Sequence, residues 1–166
     1  MDAELIYLLA QNTVAPIHAP LARMTYLSTG TYPTISGTFT VPYNTVTFSA
    51  NGASTTTGSS AGITVPITGY YTVNAGVGLT GSTSGAQTAV TSNTQAVLYI
   101  YVGGVQYTSG ARGSVNAGDN NLSINDTVFA AAGSVIQIKV AGSSQNIYGG
   151  NGSEPTTFFA VTYTSS

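Results

Sequence analysis

The segment "GITVPITGYYTVNAGVGL", Gly62–Leu79, contains the pattern that decides the fold. It is rich in β-branched and aromatic residues and has no charged residue, yet Pro66 and Gly69 interrupt it. Within a sheet a proline is confined to an edge or a bulge, and a glycine often marks a bend. Successive side chains of a strand point to opposite faces, so Tyr70 and Tyr71 are expected on opposite sides of a sheet. The segment therefore predicts β-structure with a bend before Gly69.

The chain from Thr25 onward shows the same strand pattern. Hydrophobic alternation occurs in "GTFTVPY", "NTVTFSA" and "VIQIKVA", and "AVLYIYVGGVQY" predicts a strand, a turn at Gly103–Gly104 and a partner strand. The segments "GSTSGAQT", "TSGARGSVNAGDNN" and "YGGNGSEP" have the composition of turns and loops. Strand candidates follow one another with no intervening helix, which favours an all-β sandwich or jelly roll.

Residues 1–25 form a different kind of segment, which we interpret as an anchoring arm in front of a head at 26–166. Asp2 can cap a short helix, and Pro16 and Pro20 favour an extended path after it. Two interpretations are open. The arm can pack on its own head, or its apolar face can be buried against another chain; we favour the second interpretation. That face consists of Leu5, Ile6, Leu8 and Leu9.

Composition excludes several classes of partner. Only 5% of the 166 residues are charged, against about 25% in typical proteins, and the net charge is -2. This leaves no basic surface for nucleic acid. No apolar stretch is long enough for a membrane span, and the acidic start "MDAELIYLLAQ" does not resemble a signal peptide. We therefore expect no membrane or nucleic-acid partner, and synthesis in a host cytoplasm.

Catalytic and metal-binding groups are scarce. His18 is the only histidine, there is no cysteine, and the carboxylates Asp119, Asp126 and Glu154 lie far from His18 in sequence. We therefore predict that the chain is not an enzyme and has no cofactor and no metal site. The segment "NAGDNNLSIND" brings Asp119 and Asp126 close enough to suggest a cation site, but Asx residues also dominate ordinary turns, and we favour a turn.

Five motifs in order resemble the C1q/TNF family of jelly-roll heads. These are "NTVTF" (44–48), "ITVPITGYYTV" (63–73), "LYIYVGGV" (98–105), "AAGSVIQIKV" (131–140) and "TTFFAVTY" (156–163). Gly103 stands where the family usually has Asn, and Ser134 where it prefers Asp. The resemblance covers about residues 40–166 and implies a β-sandwich that forms a homotrimer and acts by binding. Similar heads occur in bacteriophage fibres and capsid decoration proteins.

The aromatic residues of the strands are the candidates for the trimer interface. Adjacent pairs place one ring in the core and one on the other face, which a neighbouring copy would cover. A sugar-binding aromatic platform is the competing interpretation. The candidates are Tyr70, Tyr71, Tyr99, Tyr101, Phe158, Phe159 and Tyr163.

The sequence thus leads to a structural hypothesis: a trimeric capsid cement (decoration) protein on the virion surface, bound through its arms to the major capsid protein or another virion protein. Two alternatives remain open. One is the glycan-recognising, receptor-binding tip of a phage tail fibre, and the other is a bacterial C1q-like adhesin.

Overall fold

The fold is an antiparallel β-sandwich. The computed structural model describes residues 19–28, 30–85, 88, 95–114, 121–150 and 155–165, and every strand pair in them is antiparallel. The strands are β1 (Ala19–Thr25), β2 (Thr34–Thr40), β3 (Thr45–Ser49), β4 (Ser54–Thr56), β5 (Gly62–Thr64), β6 (Gly69–Thr80), β7 (Gln95–Val102), β8 (Val105–Ser114), β9 (Asn121–Ala130), β10 (Val135–Tyr148) and β11 (Phe158–Ser165). A short 3-10 turn, Gly58–Ser60, lies between β4 and β5. The predicted all-β jelly roll is confirmed.

The strands divide into two sheets. The first sheet has the order β3-β1-β11-β6-β9. In the second, β10 pairs with β7, β7 pairs with β8, and β2 and β5 lie along the other side of β10, with β4 next to β5. The end of β10 also pairs with the end of β6, so one hydrogen-bonded network runs through both layers.

The segment Gly62–Leu79 passes from one sheet to the other. Its first part, β5, pairs with β10, and its second part, β6, pairs with β11 and β9. Pro66 lies in the connection, and Val65 anchors it: its N–H donates to the Ser134 carbonyl at 3.0 Å and its carbonyl accepts from the Gly133 N–H at 2.8 Å. The predicted bend before Gly69 is confirmed, but Pro66 stands between two strands and not within one.

The core lies between the sheets, and the first half of β6 shows how alternation supplies it. On β6 the side chains of Tyr71, Val73 and Ala75 are buried while Tyr70 and Asn74 are exposed. On β10 the predicted alternation also holds, because the isoleucines and Val140 are buried and the polar residues between them are only partly so. Where one face of a strand packs on the core, period-two patterning therefore determines which of its side chains are buried.

Three sequence-based boundaries need correction. Strand β1 pairs with β11 and β3, so residues 19–25 belong to the head and not to an arm. Strand β8 extends to Ser114 and covers part of the predicted loop "TSGARGSVNAGDNN". Strand β9 begins at Asn121, so Asp126 lies within a strand and not in a turn. In each case the ladder pairing fixes the strand, and local composition does not reveal that pairing.

The predicted turn between β7 and β8 is confirmed. Gly103 and Gly104 connect the paired residues Val102 and Val105, with φ of 58° and 83°. Two consecutive positive φ angles are what a type I′ hairpin turn requires, and glycine adopts them without strain.

Candidate binding surfaces

Three aromatic residues form an exposed group at the β8/β9 side of the sandwich, here called the edge cluster: Tyr70, Tyr107 and Phe129. Tyr70 and Phe129 are direct partners in the β6–β9 ladder, and their rings meet edge to face with centroids 5.3 Å apart. Tyr107 reaches across from β8 to β9, and its hydroxyl accepts a hydrogen bond from the Phe129 N–H at 3.4 Å. The three side chains are 45–48% exposed. Contiguous apolar patches on a surface can mark contacts with partners, so this group is a candidate for one.

The rest of this face is uncharged. Its outward positions on β6 and β9 are the small or polar residues Thr72, Asn74, Ser123, Asn125 and Thr127. No lysine or glutamate interrupts these positions, so another chain can approach without burying an unpaired charge. The face is therefore suited to contact with a copy of itself or with another uncharged surface.

A second aromatic group lies toward the opposite edge of the same sheet. The Arg23 guanidinium sits 5.3 Å from the centroid of the Phe158 ring, and Arg23 is the ladder partner of Phe48 on edge strand β3. Phe48 is 37% exposed and Phe158 is half-buried. Arg23 Nε is buried and donates to no acceptor among the described residues.

The second sheet carries its own outward aromatic group, here called the tyrosine–lysine row: Tyr99, Tyr101 and Lys139. Tyr99 and Tyr101 alternate with the buried Leu98 and Ile100, and their rings lie 6.4 Å apart. Lys139 is the ladder partner of Tyr99, and its ammonium lies 4.1 Å from the centroid of the Tyr101 ring. This distance is within the range of a cation–π interaction.

Three of the seven predicted interface aromatics lie in the core of their own chain: Tyr71, Phe159 and Tyr163. Tyr71 and Tyr163 meet edge to face at 5.4 Å, and Phe159 packs against Tyr43 at 5.6 Å. Their side chains have at most 2% of their surface exposed. They cannot contact a second chain, so any interface must exclude them. The alternation predicted for Tyr70 and Tyr71 is confirmed.

Two core tyrosines have phenols whose ionisation the fold opposes. Burial raises the pKa of Tyr43 well above its usual value of 10.0. Burial also raises the pKa of Tyr71, partly offset by the hydrogen bond that its hydroxyl donates to the Ile67 carbonyl. Both phenols therefore act as neutral hydrogen-bond donors in the fold and not as acids.

Several predicted residues lie outside the described part of the chain. These are the arm residues Leu5, Ile6, Leu8 and Leu9, together with His18, Asp119 and Glu154. Asp126 is described; its carboxylate accepts a hydrogen bond from the Thr127 N–H at 2.8 Å. Among the described residues no group of three potential metal ligands occurs. Over the same ranges no helix is long and apolar enough to cross a membrane.

Sequence inspection missed Phe129, Tyr107 and Phe48. The signal for Phe129 was present, since "NLSINDTVFA" alternates as a strand from Asn121 to Ala130, but its Asx-rich start indicated a turn. Nothing local could place Tyr107 beside Phe129, because β8 and β9 belong to different sheets and meet only in the tertiary structure.

Comparison with known proteins identifies the fold. No known family and no curated protein sequence matches the chain. Crystal structures of murine APRIL do match it. The structure at pH 5.0 has a TM-score of 0.57 at 14% identity, covering 89% of this chain and 100% of its own; at pH 8.5 the values are 0.55, 14%, 87% and 98%. Eiger TNF from S. frugiperda matches with a TM-score of 0.54 at 11% identity, covering 89% of this chain and 94% of its own. The head is therefore a TNF-like jelly roll.

Proposed function

We propose that this chain is a structural virion protein: a homotrimeric capsid cement (decoration) protein whose head self-associates and whose first 18 residues bind the major capsid protein. The observation that carries the self-association is the edge cluster, three half-exposed aromatic residues beside an uncharged face. The jelly-roll fold is compatible with a head that acts by binding. We propose accordingly that the protein is not an enzyme.

The size of the edge cluster limits what it can do alone. A fully buried aromatic side chain removes about 150–250 Å² from water, so three that are nearly half exposed offer roughly 200–350 Å². At about 25 cal/mol per Å² this contributes roughly 5–9 kcal/mol. Association costs about 4–15 kcal/mol in lost freedom of motion. A stable contact therefore needs a second surface, and Phe48 and Phe158 at the opposite edge of the same sheet are the candidates.

The mechanism of capsid stabilisation would be additive burial of the arms. Leu5, Ile6, Leu8 and Leu9 would insert into the capsid surface, each contributing about 1.5–3 kcal/mol if fully buried. Once one arm of a trimer is bound, the other two are held near their sites, which raises their effective concentration.

The oligomeric state tests the head. We expect a solution mass of three times the 16.8 kDa chain, measured by light scattering or sedimentation equilibrium. Phe129→Asp should give monomers, because the carboxylate would be buried without a partner. Thr38→Asp adds the same charge on the exposed part of β2 in the second sheet and should leave the mass unchanged. A monomeric wild-type protein would overturn the proposal.

Particle binding tests the arm. The deletion must stop before Ala19, because β1 is part of the sheet. A protein lacking residues 1–18 should remain folded and trimeric but no longer co-sediment with virus particles from the cells in which it is made. Full decoration by the deleted protein would contradict the assignment of the arm, and absence of the full chain from particles would contradict the cement function.

The tyrosine–lysine row favours a second candidate, the glycan-recognising tip of a tail fibre. Tyr99 and Tyr101 face outward on the second sheet, so a trimer formed through the outward face of β6 and β9 in the first sheet would leave them accessible. Immunolabelling of particles separates the two candidates, since a cement protein labels the capsid and a fibre tip labels the tail. A bacterial adhesin would label neither.

A further inference from the structure

The tyrosine–lysine row combines an aromatic surface, a cation and neutral polar groups on one face of the second sheet. Along the ladder, Thr40, Lys139 and Tyr99 are consecutive partners on β2, β10 and β7. Gln137, Tyr101 and Gln106 form the neighbouring row across β10, β7 and β8. The two rows together bring two rings, two amides, a hydroxyl and an ammonium onto one outward surface.

The ammonium of Lys139 packs against an aromatic ring, and no acidic side chain in the described ranges pairs with it. It lies 4.1 Å from the Tyr101 centroid, and an ammonium carries three N–H donors, which a single ring face does not satisfy. Asp126 is the only acidic side chain in the described part of the chain, and it lies on β9 of the first sheet. The charge of Lys139 is therefore unmatched by any described carboxylate and is available to an anionic group beside Tyr99.

The surrounding groups favour a sugar over other anionic ligands. The negative face of an aromatic ring packs well against the weakly positive C–H groups of a pyranose, and amide and hydroxyl groups match sugar hydroxyls. Nucleic acid is disfavoured, because binding a phosphate backbone requires several cations and the whole chain has only three lysine and arginine residues. A second copy of the chain is disfavoured because only 5% of its residues are charged, so it has few carboxylates to offer.

We propose that the outward face of the second sheet binds an acidic saccharide, with a sugar ring packed on Tyr99 and its carboxylate paired with Lys139. Gln106 and Thr40 are placed to bind hydroxyl groups on either side, whereas the amide of Gln137 is already directed to the carbonyls of Ser60 and Ala61 at 3.3 and 3.4 Å. The site is shallow, so each head should bind weakly and several heads together more strongly. A capsid decoration protein and a fibre tip can both carry such a surface, so this inference needs neither the trimer nor the particle assignment.

The test compares two probes on the full-length protein: an oligogalacturonate and a neutral galacto-oligosaccharide of the same length, titrated by NMR. We expect the acidic probe to bind about tenfold more tightly, because its carboxylate forms a charge-assisted hydrogen bond with Lys139. Lys139→Met should abolish that preference and Lys139→Arg should retain it. Tyr99→Ala should weaken both probes about tenfold, since it removes the stacking surface.

Thr38→Ala is the control. Thr38 is exposed on β2 of the same sheet but belongs to neither row, so both affinities should stay at wild-type values. Failure of wild type to bind the acidic probe overturns the proposal, as does an unchanged preference in Lys139→Met. A change of solution mass in Tyr99→Ala would also overturn it, because the face would then be covered by another copy. The mass of the wild-type protein tests the trimer separately.

Discussion

At the scale of single residues, Tyr43 shows how the core uses a polar aromatic side chain. Its side chain is fully buried, its ring packs against Phe159, and its hydroxyl donates to the Phe158 carbonyl at 3.2 Å. The hydroxyl thereby links the connection between β2 and β3 to the first residue of β11. A buried phenol is acceptable only with such a partner.

The raised pKa of Tyr43 predicts a specific loss of stability in alkali. A tyrosine of the unfolded chain ionises near pH 10, whereas the folded protein holds the Tyr43 proton to higher pH because burial raises the pKa. The unfolded state therefore releases a proton first, and the free energy of unfolding falls as pH rises above about 10.

Tyr43→Phe isolates this effect. Near pH 8 the variant should be about 1 kcal/mol less stable than wild type, because one hydrogen bond is lost. Above about pH 10 the difference should shrink and then reverse, since phenylalanine has no proton to lose. Urea unfolding at several pH values measures both proteins, and parallel pH profiles would contradict the prediction.

At the scale of elements, the passage from β5 to β6 depends on glycine as much as on proline. Gly69 begins β6 where it meets the end of β11: a Cβ there would lie 2.5 Å from the Ser165 carbonyl oxygen and 2.8 Å from Tyr163 Cε2. Strand β5 of the second sheet ends before Pro66. Gly69 then lets β6 begin in the first sheet in close contact with β11. The chain can change sheets in four residues because no side chain at Gly69 obstructs the approach.

Gly69→Ala should therefore destabilise the head. Relieving the contact would require β6 to move away from β11, and overpacking of this kind costs about 1–3 kcal/mol. Gly30→Ala is the control, since a Cβ at Gly30 meets nothing within 4 Å, and it should change stability by less than about 1 kcal/mol. Urea unfolding of the two variants gives the comparison; equal stabilities would refute the steric explanation.

At the scale of the whole molecule, the protein has few charged side chains that an interface between copies could use. Only Arg23, Asp126 and Lys139 are charged residues whose side chains the structure describes, and the edge cluster with the adjacent outward face of β6 and β9 has none. The proposed association of heads must then rely on apolar burial, which is not screened by salt.

Salt provides the corresponding prediction. The trimer mass should be the same at about 50 mM and about 1 M sodium chloride, a range over which screening would weaken an interface held by ion pairs. Sodium sulfate should strengthen association, because it favours apolar burial. Sedimentation equilibrium across the salt series is the measurement. Dissociation at high salt would show that charge holds the assembly.

Much of the fold was predictable because the alternation of apolar and polar residues along a strand indicates which side chains are buried. Tyr70 and Tyr71, the β7–β8 turn and the run Val135–Val140 needed only local rules. The binding surfaces were less predictable. Alternation tells that one of Phe158 and Phe159 is buried but not which one, and the strand that covers a face can be far away in sequence. Tyr107 and Phe129 meet only because β8 and β9 lie at the same side of the sandwich.

By itself the sequence determined the all-β class, the turn at Gly103–Gly104, the bend before Gly69 and the shortage of charge, because these follow from backbone preferences and composition. Only the tertiary structure decided that β1 belongs to the head, that Asp126 lies within a strand, and that Tyr71, Phe159 and Tyr163 are core residues. The physical reason is that strand pairing and burial are long-range. Each depends on which distant strand supplies the partner for a backbone hydrogen bond or the cover for a side chain.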